Sequence, residues 1–497
     1  MKMKKVFLII AVLIPMFVWA QTEGDMLDFS TVYYQGTAKS AAMGNAMGAV
    51  GSDFSAITIN PAGLGLFRKS YVIWTPEFYT ISTESKYQGS NGSDRAFKMP
   101  MNNIGLSWTQ KMNDGLLSSV SFALGINKLN NFTFDSYAKG DNHNTSLVDA
   151  FFTEMTENNV TSADELLNSS GHWANTIYPL TYTGVFFIDE NGYYTDIPAG
   201  GINQQYGVSK RGTAKEFSFS TAFNFNEKFF LGASLDIPYF DKDVTTEYKE
   251  KNLSAGIFKS WSQTEHIKNS GYGINAKIGA IVYPAKWLRL GVAFHTPSIY
   301  TVTESWFTET YSSFTDGDYN YPSPTGTYEY TVITPLRLNA SAALIFGNFG
   351  MITGDWEYVD YSKMSASSHD YDFSDFNDHI HDLFKATSNI RIGTEWRWQT
   401  WAFRAGYAVY GSPYGFDKED LKTTSYSCGF GYTYHDFTID LAYVLSHRKN
   451  SYDLYSQYTL YPAYYQNESG DWAVDETKIK ETTSINQVVI SFKLRLD

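Results

Sequence analysis

Three basic residues stand on the polar faces of alternating segments, where a cation could bind a carboxylate: Lys277, Arg337 and Arg391. A long apolar molecule with one acidic head group needs an apolar pocket with one or two cations at its end. We therefore treat these residues as candidate head-group contacts. The alternative is that they form ion pairs that hold the structure together, with the acidic residues Asp355, Glu357 and Glu395.

The sequence contains no G-x-S-x-G, H-E-x-x-H, P-loop or dinucleotide-binding motif. His295 is the candidate base for a Ser-His-acid hydrolase, and it has no motif around it. The segment 369–382 is dense in oxygen donors but lacks the Gly and Glu of an EF-hand loop, which favours a solvated acidic loop over a cation site. We predict that the protein is not an enzyme and that it has no metal and no cofactor.

A second candidate site is an apolar face at helical spacing in the long polar connection 130–213, formed by Leu147, Phe151, Phe152 and Met155. Ser162 with Glu165 can form a capping box that starts a second short helix. An apolar helix face outside a core must be covered. Either the neighbouring helix covers this face, or the face forms a groove for an apolar ligand.

The segment 38–65 is rich in Ala and Gly and nearly free of charge, unlike the rest of the chain. Residues Ala38 to Val50 are predicted to form a compact helix that Gly51 ends. Pro61 restricts Asn60 to an extended or turn conformation. With such small side chains, this segment is suited to filling the inside of a container, and Asn60, Pro61, Ala62 and Gly63 are its candidate gate.

From residue 70 onward, apolar and polar residues alternate in fourteen segments, from 70–84 to 481–496. Phe217, Phe219 and Phe223, for example, share one face, and Glu216 and Ser218 the other. Short turns alternate with long polar connections, which is typical of outer-membrane barrels. We predict an all-β fold, a fourteen-stranded antiparallel transmembrane β-barrel with an N-terminal hatch in its lumen and short helices in the extracellular loops. A secreted β-sandwich or propeller would instead have a polar outer face.

Composition and charge agree with a barrel in an envelope. Aromatic residues make up 17% of the chain and charged residues 18%, and the turn-side Trp287, Trp398, Tyr434 and Tyr283 suit an interfacial aromatic belt. The net charge of -14 argues against a nucleic-acid partner. With Cys428 alone, no intrachain disulfide can form.

The first twenty residues contain three Lys, an apolar run and a terminal Ala, the layout of a secretory signal peptide. We therefore divide the chain into a signal peptide (1–20), an N-terminal hatch (21–69) and a transmembrane barrel (70–497). The predicted location is the outer membrane of a Gram-negative bacterium, after removal of the signal peptide.

At the hatch the chain resembles the FadL/TodX family of outer-membrane channels for long-chain fatty acids and other hydrophobic compounds, in a Bacteroidetes-like form. The resemblance is carried by three runs: GTAKSAAMGNA at 36–46, DFSA at 53–56 and NPAGL at 60–64. Gly63 departs from the second Ala that the family often has. The resemblance implies ligand capture at the outer loops, rearrangement of the hatch, and release sideways into the membrane past an inward kink in a wall strand.

The predicted function is passive uptake of a hydrophobic molecule, such as a long-chain fatty acid, with outer-membrane lipid as the other partner. Two alternatives stay open. One is a barrel that serves as a secretion-system carrier or binding scaffold for an exported or envelope protein, and the other is a plain diffusion porin. The sequence does not specify the ligand, movement of the hatch, or the oligomeric state.

Overall fold

The computed structural model describes residues 23–169, 172–198, 201–369, 371–415, 421–458, 463–467, 469–475 and 477–496. The predicted signal peptide (1–20) lies outside these residues. Within the described ranges, no helix has the length and apolar character needed to cross a membrane.

Fourteen antiparallel strands form the wall of a closed barrel, as predicted. The first seven are β1 (Tyr71–Tyr87), β2 (Met101–Asp114), β3 (Leu117–Asn131), β4 (Ile202–Phe225), β5 (Phe229–Asn252), β6 (Phe258–Ala285) and β7, which has two parts (Leu288–His295 and Ile299–Phe314). The second seven are β8, also in two parts (Gly326–Ile333 and Arg337–Phe346), β9 (Gly350–Asp360), β10 (Ala386–Trp398), β11 (Trp401–Tyr410), β12 (Thr423–Tyr434), β13 (Phe437–Asp453) and β14 (Lys478–Arg495).

The wall closes where β1 pairs with β14, in a register that places Tyr71 opposite Arg495. Every other wall strand pairs with its two neighbours in sequence. Closure leaves no free sheet edge, which a barrel in lipid requires because an unpaired backbone group there costs several kcal/mol. The pairing of first and last strands confirms the predicted topology.

The outer surface of the wall is apolar and the inner surface polar. On β4, Phe217, Phe219 and Phe223 are exposed on the outside, while Glu216 and Ser218 are buried inside. Trp287, Trp398 and Tyr434 are exposed beside the short turns, as an interfacial belt requires. Tyr283 was assigned to this belt wrongly. Its ring faces inward and packs on Phe230 at 5.0 Å, because its position in β6 is on the lumen side.

One end of the barrel has short turns and the other has long loops; we call them the short-turn end and the loop end. The turn between β4 and β5 is typical of the short ones, with Asn226 and Glu227 both at positive φ, 51° and 59°. At the loop end the longest connection joins β3 to β4. It contains α4 (Leu147–Glu157), α5 (Ala163–Asn168), a π-helical turn (Trp173–Ile177), α6 (Tyr178–Tyr182) and the strands Phe134–Asn142, Phe187–Asp189 and Gly192–Tyr194.

The remaining loop-end elements are the strands Ser90–Lys98, Asp318–Pro322, Ser365–Ser367, Tyr464–Gln466 and Trp472–Val474, the helix α7 (Ser374–Leu383) and the 3-10 turns Tyr361–Lys363 and Tyr455–Gln457. The acidic segment 369–382, predicted as a solvated loop, is therefore largely helical. Phe376 and Ile380 explain the difference. They lie one turn apart and are buried against the wall, so they fix one face of α7.

The hatch precedes β1 and consists of α1 (Glu23–Ser30), α2 (Ala38–Ala42), α3 (Ala56–Ile59) and a 3-10 helix (Pro61–Leu66). The single helix predicted for Ala38 to Val50 is wrong beyond Ala42. Gly44 and Asn45 have φ of 61° and 62°, a left-handed conformation that an α-helix cannot include. The chain then continues as tight turns to Gly51, which also has positive φ. The result is a thinner plug than a helix would form.

Candidate functional site

The gate segment Asn60–Gly63 is buried between the hatch and the wall. Asn60 is extended, with φ of -147°, as the following proline dictates, and it caps the 3-10 helix by accepting the Ala62 N–H at 3.1 Å. Its side-chain amide donates to the carbonyl oxygens of Gly48, at 2.8 Å, and of Ala280 in β6, at 3.3 Å. Asn60 therefore ties the gate both to the rest of the hatch and to the wall.

The hatch fits the wall because the wall has glycine where the two surfaces meet. A Cβ on Gly279 would lie 2.0 Å from Asn60 Oδ1, and a Cβ on Gly406 would lie 2.1 Å from the Gly44 nitrogen. The same holds for six other wall glycines, in β2, β3, β5, β7, β10 and β12: Gly105, Gly125, Gly232, Gly291, Gly393 and Gly429. We call these eight residues the glycine belt. Because it encircles the lumen at the height of the hatch, the described hatch residues fill that cross-section.

Hydrogen bonds from wall side chains to the hatch backbone add to this fit. Asp355 accepts the Gly48 N–H at 2.9 Å, Arg289 donates to the Val50 carbonyl at 3.0 Å, and His295 donates to the Ile59 carbonyl at 2.9 Å. His295 thus helps to hold the hatch in place. Ser427 and Ser491 bond the backbone of α2 on the opposite side of the lumen.

All three candidate head-group cations are buried and ion-paired. Arg337 and Arg391 both contact Glu357, at 2.9 and 3.4 Å, and Arg391 is 3.9 Å from Asp355. Lys277 contacts Glu216 and lies 3.2 Å from Asp236. Glu395, the third acidic residue named from the sequence, instead pairs with Arg397 and Arg404. Arg337 and Arg391 are thus paired with two of the carboxylates that the sequence left as their alternative partners, whereas Lys277 pairs with two carboxylates that the sequence analysis did not name.

Above the gate, α1 lies across the lumen and is anchored by charge. Asp25 and Asp28 contact the buried Lys242 of β5, and the Asp28 carboxylate also lies 3.5 Å from Lys210 of β4. Burial alone would raise the pKa of Asp28, but the two lysines more than compensate and hold it well below its usual value. Phe29 stacks on Phe240 at 4.3 Å. The helix, absent from the sequence prediction, forms the upper part of the plug.

A cavity of about 1060 Å³ lies between the hatch and the loop end. Its lining mixes apolar and polar groups and is notable for tyrosines: Tyr33, Tyr34, Tyr79, Tyr206, Tyr361, Tyr410, Tyr414, Tyr452 and Tyr458. Arg448 of β13 also lines it, with its guanidinium 6.0 Å from the ring of Phe134. The sequence analysis did not select Arg448, although its spacing from Asp440 places it on the same face.

The wall is interrupted beside this cavity, between β2 and β3. Towards the loop end, the pairing of β2 with β3 stops at Asn103, which lies opposite Asn127. Just beyond, Leu129 is an extra residue relative to β4, since Lys128 pairs with Lys215 and Asn130 with Ala214. A bulge bends the strand that contains it, and here the Leu129 carbonyl of β3 accepts the Tyr33 N–H of the hatch at 3.0 Å. We call this interruption the wall break.

A buried ion pair crosses the wall break. Lys128 of β3 contacts Glu77 of β1, and the two side chains are almost inaccessible to solvent. Between β1 and β3, strand β2 starts only at Met101. The carbonyl oxygen of the preceding Pro100 accepts the Glu77 N–H of β1 at 2.9 Å. Phe97 and Met99 are exposed on the outer surface at this point. The break therefore has polar side chains, including one ion pair, on its inner side and apolar side chains on its outer side.

The candidate groove residues lie in the core of the loop end. Leu147, Phe151 and Met155 are fully buried with Leu166 of α5 and Phe186, and Phe152 is packed at the edge of this cluster. In this conformation they form no open groove. A capping box between Ser146 and Asp149 starts α4, and burial raises the pKa of Asp149 to about 6.

No group of three or more His, Cys, Asp or Glu side chains in the described ranges is arranged to hold a metal ion. His379 in the acidic segment instead contacts Glu23 of α1 at 2.7 Å.

Fold and lumen together define a closed β-barrel plugged by its own N-terminal segment. Solved structures share this architecture. A FadL homologue from Pseudomonas aeruginosa aligns with a TM-score of 0.57 at 12% identity, covering 94% of this chain and 100% of the homologue. The toluene transporter TodX from Pseudomonas putida aligns with a TM-score of 0.54 at 12% identity, covering 93% of this chain and 99% of TodX. The chain therefore has the FadL/TodX fold.

Comparison at the level of sequence adds nothing to this result. No protein-family model matches the chain, and no curated protein matches it significantly.

Proposed function

We propose that the protein is an outer-membrane channel for the passive uptake of hydrophobic molecules. The observation that carries this proposal is the cavity of about 1060 Å³ above the hatch, which reaches the wall break through Glu77, Asn102 and Asn131. A cavity of this size accommodates a drug-sized or lipid-sized molecule. The structurally similar TodX is a toluene transporter, which supports a hydrophobic cargo.

The proposed route begins at the loop end, continues through the cavity and leaves sideways at the wall break. The glycine belt closes the direct axial path, because the hatch touches the wall around the lumen. The apolar outer surface at Phe97 and Met99 would receive the cargo at the lipid boundary. The Tyr33–Leu129 hydrogen bond links the hatch to the bent strand, so movement of one would release the other.

A long-chain fatty acid is a cargo of suitable shape, although the cations expected to meet its carboxylate are engaged by carboxylates. In this proposal Lys277, Arg337 and Arg391 hold neighbouring wall strands together, and Arg337 also donates to the Ser30 carbonyl of the hatch. The loop cluster around Leu147, Phe151, Phe152 and Met155 is then the lid that separates before capture. Asn60, Pro61, Ala62 and Gly63 are the gate.

The test is reconstitution of the full chain in liposomes that contain entrapped albumin, with external fluorescent fatty acid and external sugar. Lateral release predicts that the fatty acid reaches the bilayer faster than in empty liposomes, while sugar stays outside. Entry of sugar at a comparable rate would indicate a plain pore. Failure to transfer the fatty acid, with a stoichiometric protein that co-purifies from the envelope, would favour the carrier or scaffold.

A further inference from the structure

Of the buried polar atoms around the wall break that have no hydrogen-bond partner among the described residues, four belong to residues that line the cavity. They are Glu77 Oε1, Asn102 Oδ1, Asn131 Nδ2 and Thr133 Oγ1. Glu77, Asn102 and Thr133 are no more than 2% exposed, and all four residues line the large cavity. We call these four residues the exit cluster.

A buried polar group without a partner costs about 1–3 kcal/mol, so most such groups in proteins are satisfied. The exit cluster gathers four of them at one side of one cavity. Two are pure acceptors (Glu77 Oε1, Asn102 Oδ1), one is a donor (Asn131 Nδ2), and the Thr133 hydroxyl can act as either. Together they can satisfy a group that donates and accepts at once.

The charges of the exit cluster and its neighbours further restrict the chemical class of ligand that it can bind. None of the four residues of the exit cluster is a cation, and the adjacent Lys128 is already paired with Glu77. A carboxylate brought next to Glu77 Oε1 would be repelled. An uncharged hydroxyl both donates to the acceptors and accepts from Asn131 without adding charge.

We propose that the exit cluster is a binding site for an uncharged hydroxyl on an otherwise apolar cargo. This inference rests on the proposed function and specifies its substrate class, because a pure hydrocarbon leaves the four atoms unsatisfied. The cargo is then an amphiphile with a hydroxyl head group, and its head group pauses at the break while its apolar part enters the lipid.

The experiment measures displacement of a fluorescent fatty-acid probe from the full chain in nanodiscs by decanol, decane and decanoate, each corrected with empty nanodiscs. Two or three new hydrogen bonds of about 1 kcal/mol each predict that decanol binds about tenfold or more tightly than decane. The double variant Asn102→Leu, Thr133→Val should lose about tenfold for decanol and keep its affinity for decane. Thr423→Val is the matched control, since Thr423 lines the same cavity from β12, outside the exit cluster.

The outcomes separate this inference from the function on which it rests. Binding of no compound by the wild type would overturn the proposed channel. Equal binding of decane and decanol, or equal losses in the double variant and the Thr423→Val control, would overturn the exit cluster alone. Tighter binding of decanoate than decanol would overturn the assignment to an uncharged head group.

Discussion

The side-chain amide of Asn60 donates a hydrogen bond to the backbone carbonyl of Gly48, at 2.8 Å. The bond joins the last turn of the plug to its middle, and the same amide reaches Ala280 of the wall. One side chain therefore determines both the internal shape of the gate and its position in the lumen.

Replacing Asn60 by alanine removes three hydrogen bonds at once and should loosen the gate. With about 1 kcal/mol for each bond, the closed hatch should lose about 2–3 kcal/mol relative to displaced forms. Planar-bilayer recordings should show more frequent openings. Asn191→Ala, at an exposed position in the loop end, is the control. A closed channel in both variants would contradict the role given to Asn60.

The glycine belt predicts a steric effect. Gly406→Val places side-chain atoms where the Gly44 backbone now lies, and the hatch must move because the wall is fixed by its hydrogen bonds. We expect a folded but leaky barrel, measured as uptake of small sugars into liposomes. Gly354→Val is the matched control, since a Cβ there meets only the Arg391 carbonyl oxygen, at 3.8 Å. Equal sugar uptake in both would exclude a tight fit.

Breaking the Glu77–Lys128 ion pair should destabilise the folded protein. Lys128→Met leaves the Glu77 carboxylate buried without its partner, which typically destabilises a protein by about 3–5 kcal/mol. Adding Glu77→Gln should recover most of this loss, because the charge is removed with its partner. Chemical unfolding in detergent, run as a double-mutant cycle, measures both effects. Additive losses would show that the two side chains act independently.

For the three lumen cations, we expect the variant Lys277→Gln, Arg337→Gln, Arg391→Gln to lower stability and leave ligand affinity unchanged. The reason is that each cation neutralises a buried carboxylate. Removing the cation leaves that carboxylate buried without a partner to offset its desolvation. Thermal unfolding and fatty-acid displacement provide the two readouts. Loss of affinity in a variant of normal stability would instead restore these residues as head-group contacts.

The loop end should become less stable as pH rises from about 4 to 6. The pKa of Asp149 is about 6 in the folded protein against 3.8 ordinarily, so the folded state holds the proton more tightly and deprotonation weakens it. Hydrogen exchange of α4 amides, corrected for intrinsic rates, should show protection that falls across this window. Asp149→Asn should flatten the dependence and keep a capping oxygen. An unchanged slope would assign the effect to another group.

The strand count and topology could be predicted because each wall strand has one apolar and one polar face, as in β4 from Phe217 to Phe223. The extent of the strands was underestimated, since β6 begins at Phe258, where a polar exterior hides the alternation. The residues of the short turns, such as Asn226, could also be predicted, because turn residues, like strand alternation, are recognised from local sequence.

The contents of the lumen were harder to predict. Lys277 and Arg391 could be placed on the inner face because residues of a strand alternate between its two faces, but the identity of their partners depends on which strands are neighbours across the sheet. Arg448 lies on the same face by this alternation and was overlooked. The exit cluster had no sequence signal, because Asn102 is an extra residue in β2 relative to β1, which interrupts the alternation, and both Asn102 and Asn103 are buried.

The Tyr33–Leu129 hydrogen bond has a thermodynamic consequence. It is made only while the hatch is in place and β3 is bent, so hatch displacement and straightening of β3 share one free-energy term. Linkage of this kind is reciprocal. Displacement of the hatch favours straightening of β3 by the same factor by which straightening of β3 favours displacement of the hatch, so a substitution in the outer wall at β3 can change affinity deep in the lumen.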